Sequence, residues 1–244
     1  MEIHKPKPVH SWRELATEIG VIVIGVAIAL AGEQTVEALH NRDRAVATRD
    51  AIRAEIAGYL GTTEQRRATE PCVTTRLDEI GGLIAAEAAG KPLPAALWIG
   101  RPANYPVRDS QYRSATQSGS FNLLGDREQA DYAAVYASFA TYWQAATDEL
   151  KAWADLRTLE QHPPPSPVLD WQLRSALQQA RNSRWLVESN RQLALNAAKE
   201  AGIQPAKLRL YKPQSVCIPL NTARDVALKL VIQGRPGNYA YDEP

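Results

Sequence analysis

The chain has 244 residues, 28 of them basic and 27 acidic, for a net charge of +1. That length fills one large or two small domains with a core that is stable without cross-links. The near-neutral balance leaves no electrostatic footprint for nucleic acid. Six tryptophans and nine tyrosines against two phenylalanines and one methionine, with abundant alanine, point to closely packed helices.

Residues 1–10, MEIHKPKPVH, hold two prolines and no apolar period, and read as a loose tail. Ser11-Trp12-Arg13-Glu14 fits a capping box in which Ser11 caps and Glu14 reaches back, so a helix begins at Trp12. Ile19 to Gly32, IGVIVIGVAIALAG, is an uncharged apolar run. It covers about 21 Å as a helix, short of the roughly 30 Å hydrocarbon core. Extension through Leu15 and Ala16 and on to Val36 reaches about 33 Å and brings Glu18 and Glu33 near the two interfaces, where a charge costs less than at the bilayer centre. Residues 11–36 therefore read as a transmembrane anchor, marked by Trp12, Ile19, Val23, Gly25, Ile28, Ala29 and Leu30, with the lipid bilayer as partner. A cleaved signal peptide, suggested by Ala29-Leu30-Ala31, and a buried core helix are the competing readings. The anchor is preferred because helical character continues past the candidate cleavage site.

Gly25 and Ala29, and Ala27 and Ala31, have small-xxx-small spacing, while Glu18, Gly25 and Gly32 recur every seven residues. Such a face lets helices approach closely, so self-association or contact with other membrane subunits through the anchor is one reading; ordinary membrane-helix composition is the other. Beyond the span, Val36, Leu39, Val46, Ile52, Ile56 and Leu60 keep helical spacing, so the anchor runs unbroken into a soluble domain near Val36. Gly61 weakens this helix and Pro71 ends it. Basic residues flank the span on both sides, so the positive-inside count does not orient it; a short N-terminal tail favours a cytoplasmic N-terminus.

Residues 37–202 read as an antiparallel helical bundle. A second helix carries Val73, Arg76-Leu77, Ile80 and Leu83-Ile84 on one face and stops by Gly90. Lys91 to Arg108 has four prolines and reads as a loop with a buried Leu97-Trp98 anchor. A short helix spans Ser110–Gln117. The clearest soluble helix runs from Arg127 to about Gln161, with Asp126 as N-cap and an apolar stripe from Tyr132 to Leu156. HPPPSP at 162–167 is a stiff turn; Ser166 and Pro167 open the next helix, and Gly202 closes it. Two long helices so joined pack antiparallel. Residues 203–244 form an extended, proline-punctuated tail with a short helix capped at Asn221 or Thr222 and ending by Gly234.

Glu18-Ile19 opens an Ile/Val/Leu run with Gly25 before Ile28-Ala29-Leu30, and Tyr112 to Tyr136 contains Ser118-Gly119, Leu123-Leu124, Asp126 and paired tyrosines. These two stretches, about a fifth of the chain, resemble a family of uncharacterised single-pass bacterial membrane proteins with an E-I-…-G-x-x-I-A-L anchor and an S-G-x-L…Y-Y helix hairpin. The resemblance implies a membrane-tethered helical protein of unknown role and carries over no catalytic residue.

Cys72 and Cys217 are the only cysteines, and they make no metal motif. In an oxidising compartment two readings stay open: a bridge that closes a very long loop, and two unpaired small apolar residues. Gly100-Arg101-Pro102-Ala103-Asn104-Tyr105 recurs as Gly234-Arg235-Pro236-Gly237-Asn238-Tyr239. A paired loop, with Arg101 and Arg235 on an acidic or phosphate group beside Trp98, Tyr105 and Tyr239, competes with plain turn chemistry. Glu37-x-x-His40 is half of a di-iron motif with no second half, so His40 reads as a solvated residue near the membrane. No phosphate loop, nucleophile elbow, zinc spacing or kinase signature is present. The expectation is therefore all-α, without cofactor and non-enzymatic: an inner-membrane, single-pass interaction or accessory protein with a periplasmic domain. A periplasmic helical-bundle sensor with a pocket near Trp98, Tyr105 and Trp143 is the alternative; a one-anchor sensor needs an output domain, and none is legible after the bundle.

Overall fold

The computed structural model describes residues 12–95, 97–208 and 214–233, and for Glu14 the backbone only. The Ser11 capping box, the tail at 1–10, Arg235, Tyr239 and the stop at Gly234 lie outside the described residues. Within them the chain is all-α: α1 (Trp12–Arg67), α2 (Glu70–Ala88), α3 (Ser110–Ser118), α4 (Asp126–Leu156), α5 (Pro167–Glu200) and α6 (Arg224–Gln233), with short 3-10 turns between.

The periodic apolar stripes dictate the packing. α4 and α5 make the most extensive contact of any two elements. Ser166 Oγ accepts from the Leu169 amide at 3.1 Å and Gly202 takes φ +67°, so α5 starts and ends at a hydroxyl cap and a left-handed glycine. The α4–α5 pair is flanked by α1 and α2 in tandem. The lower core joins Ile52, Ile56 and Leu60 of α1 to Phe139 of α4 and Ala194 of α5. The upper core joins Val73, Leu77 and Ile80 of α2 to Trp153 of α4 and Leu173 of α5. The result is an elongated bundle in which α5 descends beside ascending α1 and α2.

Four expectations are corrected. Pro71 does not end α1; α1 stops at Arg67, and Pro71 occupies the first turn of α2, where its missing amide costs nothing. The N-cap of α4 is Gly125 rather than Asp126, and Gln129 spends its amide on the Leu124 carbonyl at 2.7 Å. α4 ends at Leu156, and 157–161 tighten into a 3-10 turn. α6 begins at Arg224, two residues beyond Thr222, with the Ala223 carbonyl accepting from Ala227 at 2.9 Å. Gly61 has a positive role as well: a Cβ there would lie 2.5 Å from the Ala206 carbonyl, because the tail segment 203–208 crosses α1 closely and donates from the Ala206 amide to the Ala57 carbonyl at 2.8 Å.

α1 supplies side chains that finish other helices. Glu55 accepts from Ser110 Oγ and the Gln111 amide, both at 2.9 Å, and from the Tyr136 hydroxyl at 2.6 Å, placing a carboxylate at the N-terminus of α3. Arg53 donates to the Ala201 and Gly202 carbonyls at 3.1 and 2.6 Å, a cation at the C-terminus of α5. Glu55→Ala leaves the first turn of α3 uncapped and a buried phenol without its acceptor; the urea midpoint should fall by the equivalent of about 1–2 kcal/mol with the helical circular dichroism retained.

Candidate functional site

The sequence points to two places, the apolar part of α1 and the loop around Trp98. Of these, α1 is the one left uncovered. A window of α1 is long and apolar enough to cross a membrane, and none of it is buried against the rest of the chain. Trp12, Ile19, Val23, Ile28 and Leu30 are all exposed, and no atom stands within 4 Å of a Cβ placed on Gly25. A contiguous exposed apolar surface of this length marks a membrane or protein interaction site. The first fully buried α1 residue is Ile52, with Ala45 partly packed. The bundle thus begins about nine residues beyond Val36, and Val36, Leu39 and Val46, expected on its covered face, are exposed. Glu37 and His40 are exposed on the same stretch, and no cluster of metal-ligating side chains exists among the described residues.

The Trp98 loop is built for packing. Trp98 is buried against Ile218 and Ala227, its indole donates to the Ser215 carbonyl at 2.9 Å, and Arg157 lies 6.0 Å from its ring centre. Arg76 of α2, buried, donates to the carbonyls of Trp98 (2.6 Å), Ile99 and Ile218 and to Glu79 at 2.7 Å. Gly100 takes φ +69°, and a Cβ there would stand 2.5 Å from the Ser215 carbonyl. One turn before Arg76, Cys72 is bonded to Cys217. Loop 97–101, tail 214–220 and α2 are therefore one cross-linked unit. Arg101 is exposed and its amide donates to Ser215 Oγ at 3.3 Å; Tyr105 and Trp143 are half-buried. Trp98 is committed to the interior and offers no face for a ligand.

A polar centre that sequence reading missed lies where α1 gives way to α2. Arg66 is 3% exposed and grips Glu149 of α4, itself 1% exposed, through two bonds of 2.8 and 2.9 Å. Its other terminal nitrogen reaches Glu70 at 3.1 Å, and Glu70 also takes Arg184 of α5. Glu64 is shared by Arg67 and Arg191, and Arg191 holds Glu188 at 2.7 Å. Burial pushes the Glu149 carboxyl above its ordinary range against the pull of Arg66. Burial works against the Arg66 cation, but Glu149 more than offsets it and holds its pKa above the usual value. Burial also raises the Tyr142 phenol beside this pair. Lower down, burial and a hydrogen bond to Glu128 push Tyr132 up to about 12, and Arg49 holds Glu128 below its usual range.

An open groove of about 750 Å³ runs over this centre, lined by Arg67, Glu70, Thr74, Arg181, Arg184 and Trp185. Its guanidinium groups are engaged by Glu64, Asp78 and Glu70, and Thr74 Oγ1 bonds back to the Glu70 carbonyl at 3.0 Å. The arrangement ties four helices together, α1, α2, α4 and α5. No sequence signal marks it, because Arg and Glu at helical spacing look the same on a solvated face.

Comparison of the chain with protein-family models, with curated proteins and with solved structures finds no match.

Proposed function

We propose that this protein is a single-pass, non-enzymatic interaction or accessory protein of the bacterial inner membrane, its helical bundle held on the periplasmic side as a scaffold or subunit of a membrane complex. The observation that carries the reading is the uncovered apolar length of α1. A helix from Trp12 to Arg44 measures about 50 Å, of which the hydrocarbon core takes about 30 Å. The span then occupies roughly residues 15–36, and Glu37–Arg44 form a charged stalk of about 12 Å below the bundle. The periplasmic side is supported by the Cys72–Cys217 bond, since such bonds persist in oxidising compartments. The continuity of α1 makes the stalk a rigid spacer that fixes how far from the membrane a partner is met. Membership of the uncharacterised single-pass family belongs to the same proposal and rests on the two stretches named above.

Extraction of membranes with a mild detergent, followed by identification of the chains that travel with this one through native purification, tests the reading. Recovery with defined membrane subunits or with itself is expected. Recovery as a monomer that stays soluble without detergent would refute both the anchor and the accessory role.

A further inference from the structure

The stalk and its two ends carry exposed apolar side chains that the bundle does not cover: Val36 where the span closes, Leu39 within the stalk and Val46 where the bundle opens. Val36, Leu39 and Val46 are 68%, 57% and 44% exposed. At about 100° per residue they lie within an arc of some 80°, and the bundle-facing residues Ala45, Ile52 and Ile56 lie roughly 140° away on the other side of α1. The free face therefore points outward from the bundle, where a second helix has unobstructed access. Its positions follow a seven-residue repeat, with Val36 and Asp43 in one row and Leu39 and Val46 in the other. Upward, Asp50 continues the first row on the same exposed side. Downward, the rows run through Gly32, Ala29 and Gly25, which leave a neighbour room to approach.

We propose that the outward face of the stalk is the contact surface for a second copy of this chain, forming a parallel two-helix coil over residues 36–46 that continues into the span. This rests on the reading that α1 crosses the membrane. The tether then decides the geometry: every copy enters from the same side, so two copies meet α1 in parallel with like positions abreast, the arrangement a seven-residue repeat requires. The like charges that the first row brings together are met within the same pairing. In a parallel coil each knob enters a hole formed by four residues of the facing helix. The hole for Asp43 is made by Leu39, Arg42, Asp43 and Val46 of the other copy, so Arg42 comes to each Asp43 and offsets the like-charge contact. The face is too small to hold two freely diffusing proteins: about 32 residues at 1.5 Å by a helix width of about 10 Å gives a footprint near 500 Å², below the roughly 800 Å² per partner of a standard interface. Confinement to one membrane makes up the difference by raising effective concentration.

The test is disulfide trapping in native membranes, using the full chain with its Cys72–Cys217 bond intact and one added cysteine at a time. L39C and V46C lie where facing Cα atoms come within disulfide reach in a parallel coil, whereas N41C points to the bundle side. Mild oxidation should give a reducible dimer of twice the chain mass for L39C and V46C, about fivefold more than for N41C. Equal trapping at all three positions, none at 39 and 46, or trapping to a chain of different mass would overturn the proposal. Alkaline washing of the same membranes separates the two claims. A chain that stays with the membrane yet fails to trap sinks only the stalk contact, and a chain that washes off sinks the anchor itself. V36Q/L39Q/V46Q, which leaves the bundle core untouched, should reduce energy transfer between labelled copies in vesicles severalfold. Unchanged transfer would contradict the proposal.

Discussion

Arg66→Met should lower the stability of the bundle by about 3–5 kcal/mol, because it leaves the Glu149 carboxylate buried and unpaired. For a domain of this size that corresponds to a fall of roughly 10 °C in Tm. The loss is expected to be larger than the worth of the ion pair itself. Arg66 also reaches Glu70 and Thr69 at the junction of α1 and α2, so the same substitution loosens the register between the two tandem helices. Combining Arg66→Met with Glu149→Leu removes both charges and fills the space with apolar atoms, and should recover most of the loss. Thermal unfolding of the wild type, both single variants and the double variant decides the matter. If Arg66→Met alone is within about 1 kcal/mol of wild type, the pair is not the buried clasp its geometry describes.

Loss of the Cys72–Cys217 bond should be the second large effect. The two residues are 145 apart in sequence, and closure of so long a loop removes enough chain entropy from the unfolded state to contribute up to about 5 kcal/mol, with about 2–5 typical of native bridges. Cys72→Ser, Cys217→Ser and the double variant should lose the same amount, and reductant should lower the wild type to their level while leaving them unchanged. The Arg76 clamp on the Trp98, Ile99 and Ile218 carbonyls remains in each variant, so the tail stays seated in the native state but opens more readily. Protease cleavage within 214–223 should therefore quicken in step with the fall in the urea midpoint. A wild type whose midpoint ignores reductant would show that the bond does not form in the protein as it is made.

Much of this architecture is legible in the sequence, for identifiable reasons. The apolar stripe of α4, the Ser166–Pro167 opening of α5 and the Gly202 close are local signals, and a six-residue proline turn leaves antiparallel packing as the only short connection. Leu97-Trp98 stands out as an apolar pair in a proline-rich loop. The polar centre is not legible, because Arg66 and Glu149 are 83 residues apart and nothing in either helix marks them as inward-facing. Glu55 and Arg53 finish α3 and α5 from another helix, a relation that only tertiary structure creates. Pro71 is ambiguous by nature, since proline both stops one helix and starts the next. Apolar period alone placed Val36, Leu39 and Val46 on the bundle face. Periodicity reports a stripe but not what covers it, and the burial pattern puts the start of the bundle near Ala45 instead.

The stalk gives these features a common sense. On the proposed reading α1 is anchored at one end, clasped by Arg66 at the other, and clear of the bundle between Glu37 and Arg44, so bundle and span move as one body only if that stretch stays helical. Intact mass of the chain recovered from alkaline-washed membranes tests the central claim most directly. The account predicts the full-length chain in the membrane fraction, lighter than its reduced form by two hydrogens for the Cys72–Cys217 bond. A chain found in the soluble fraction and shortened near Ala31 would contradict it.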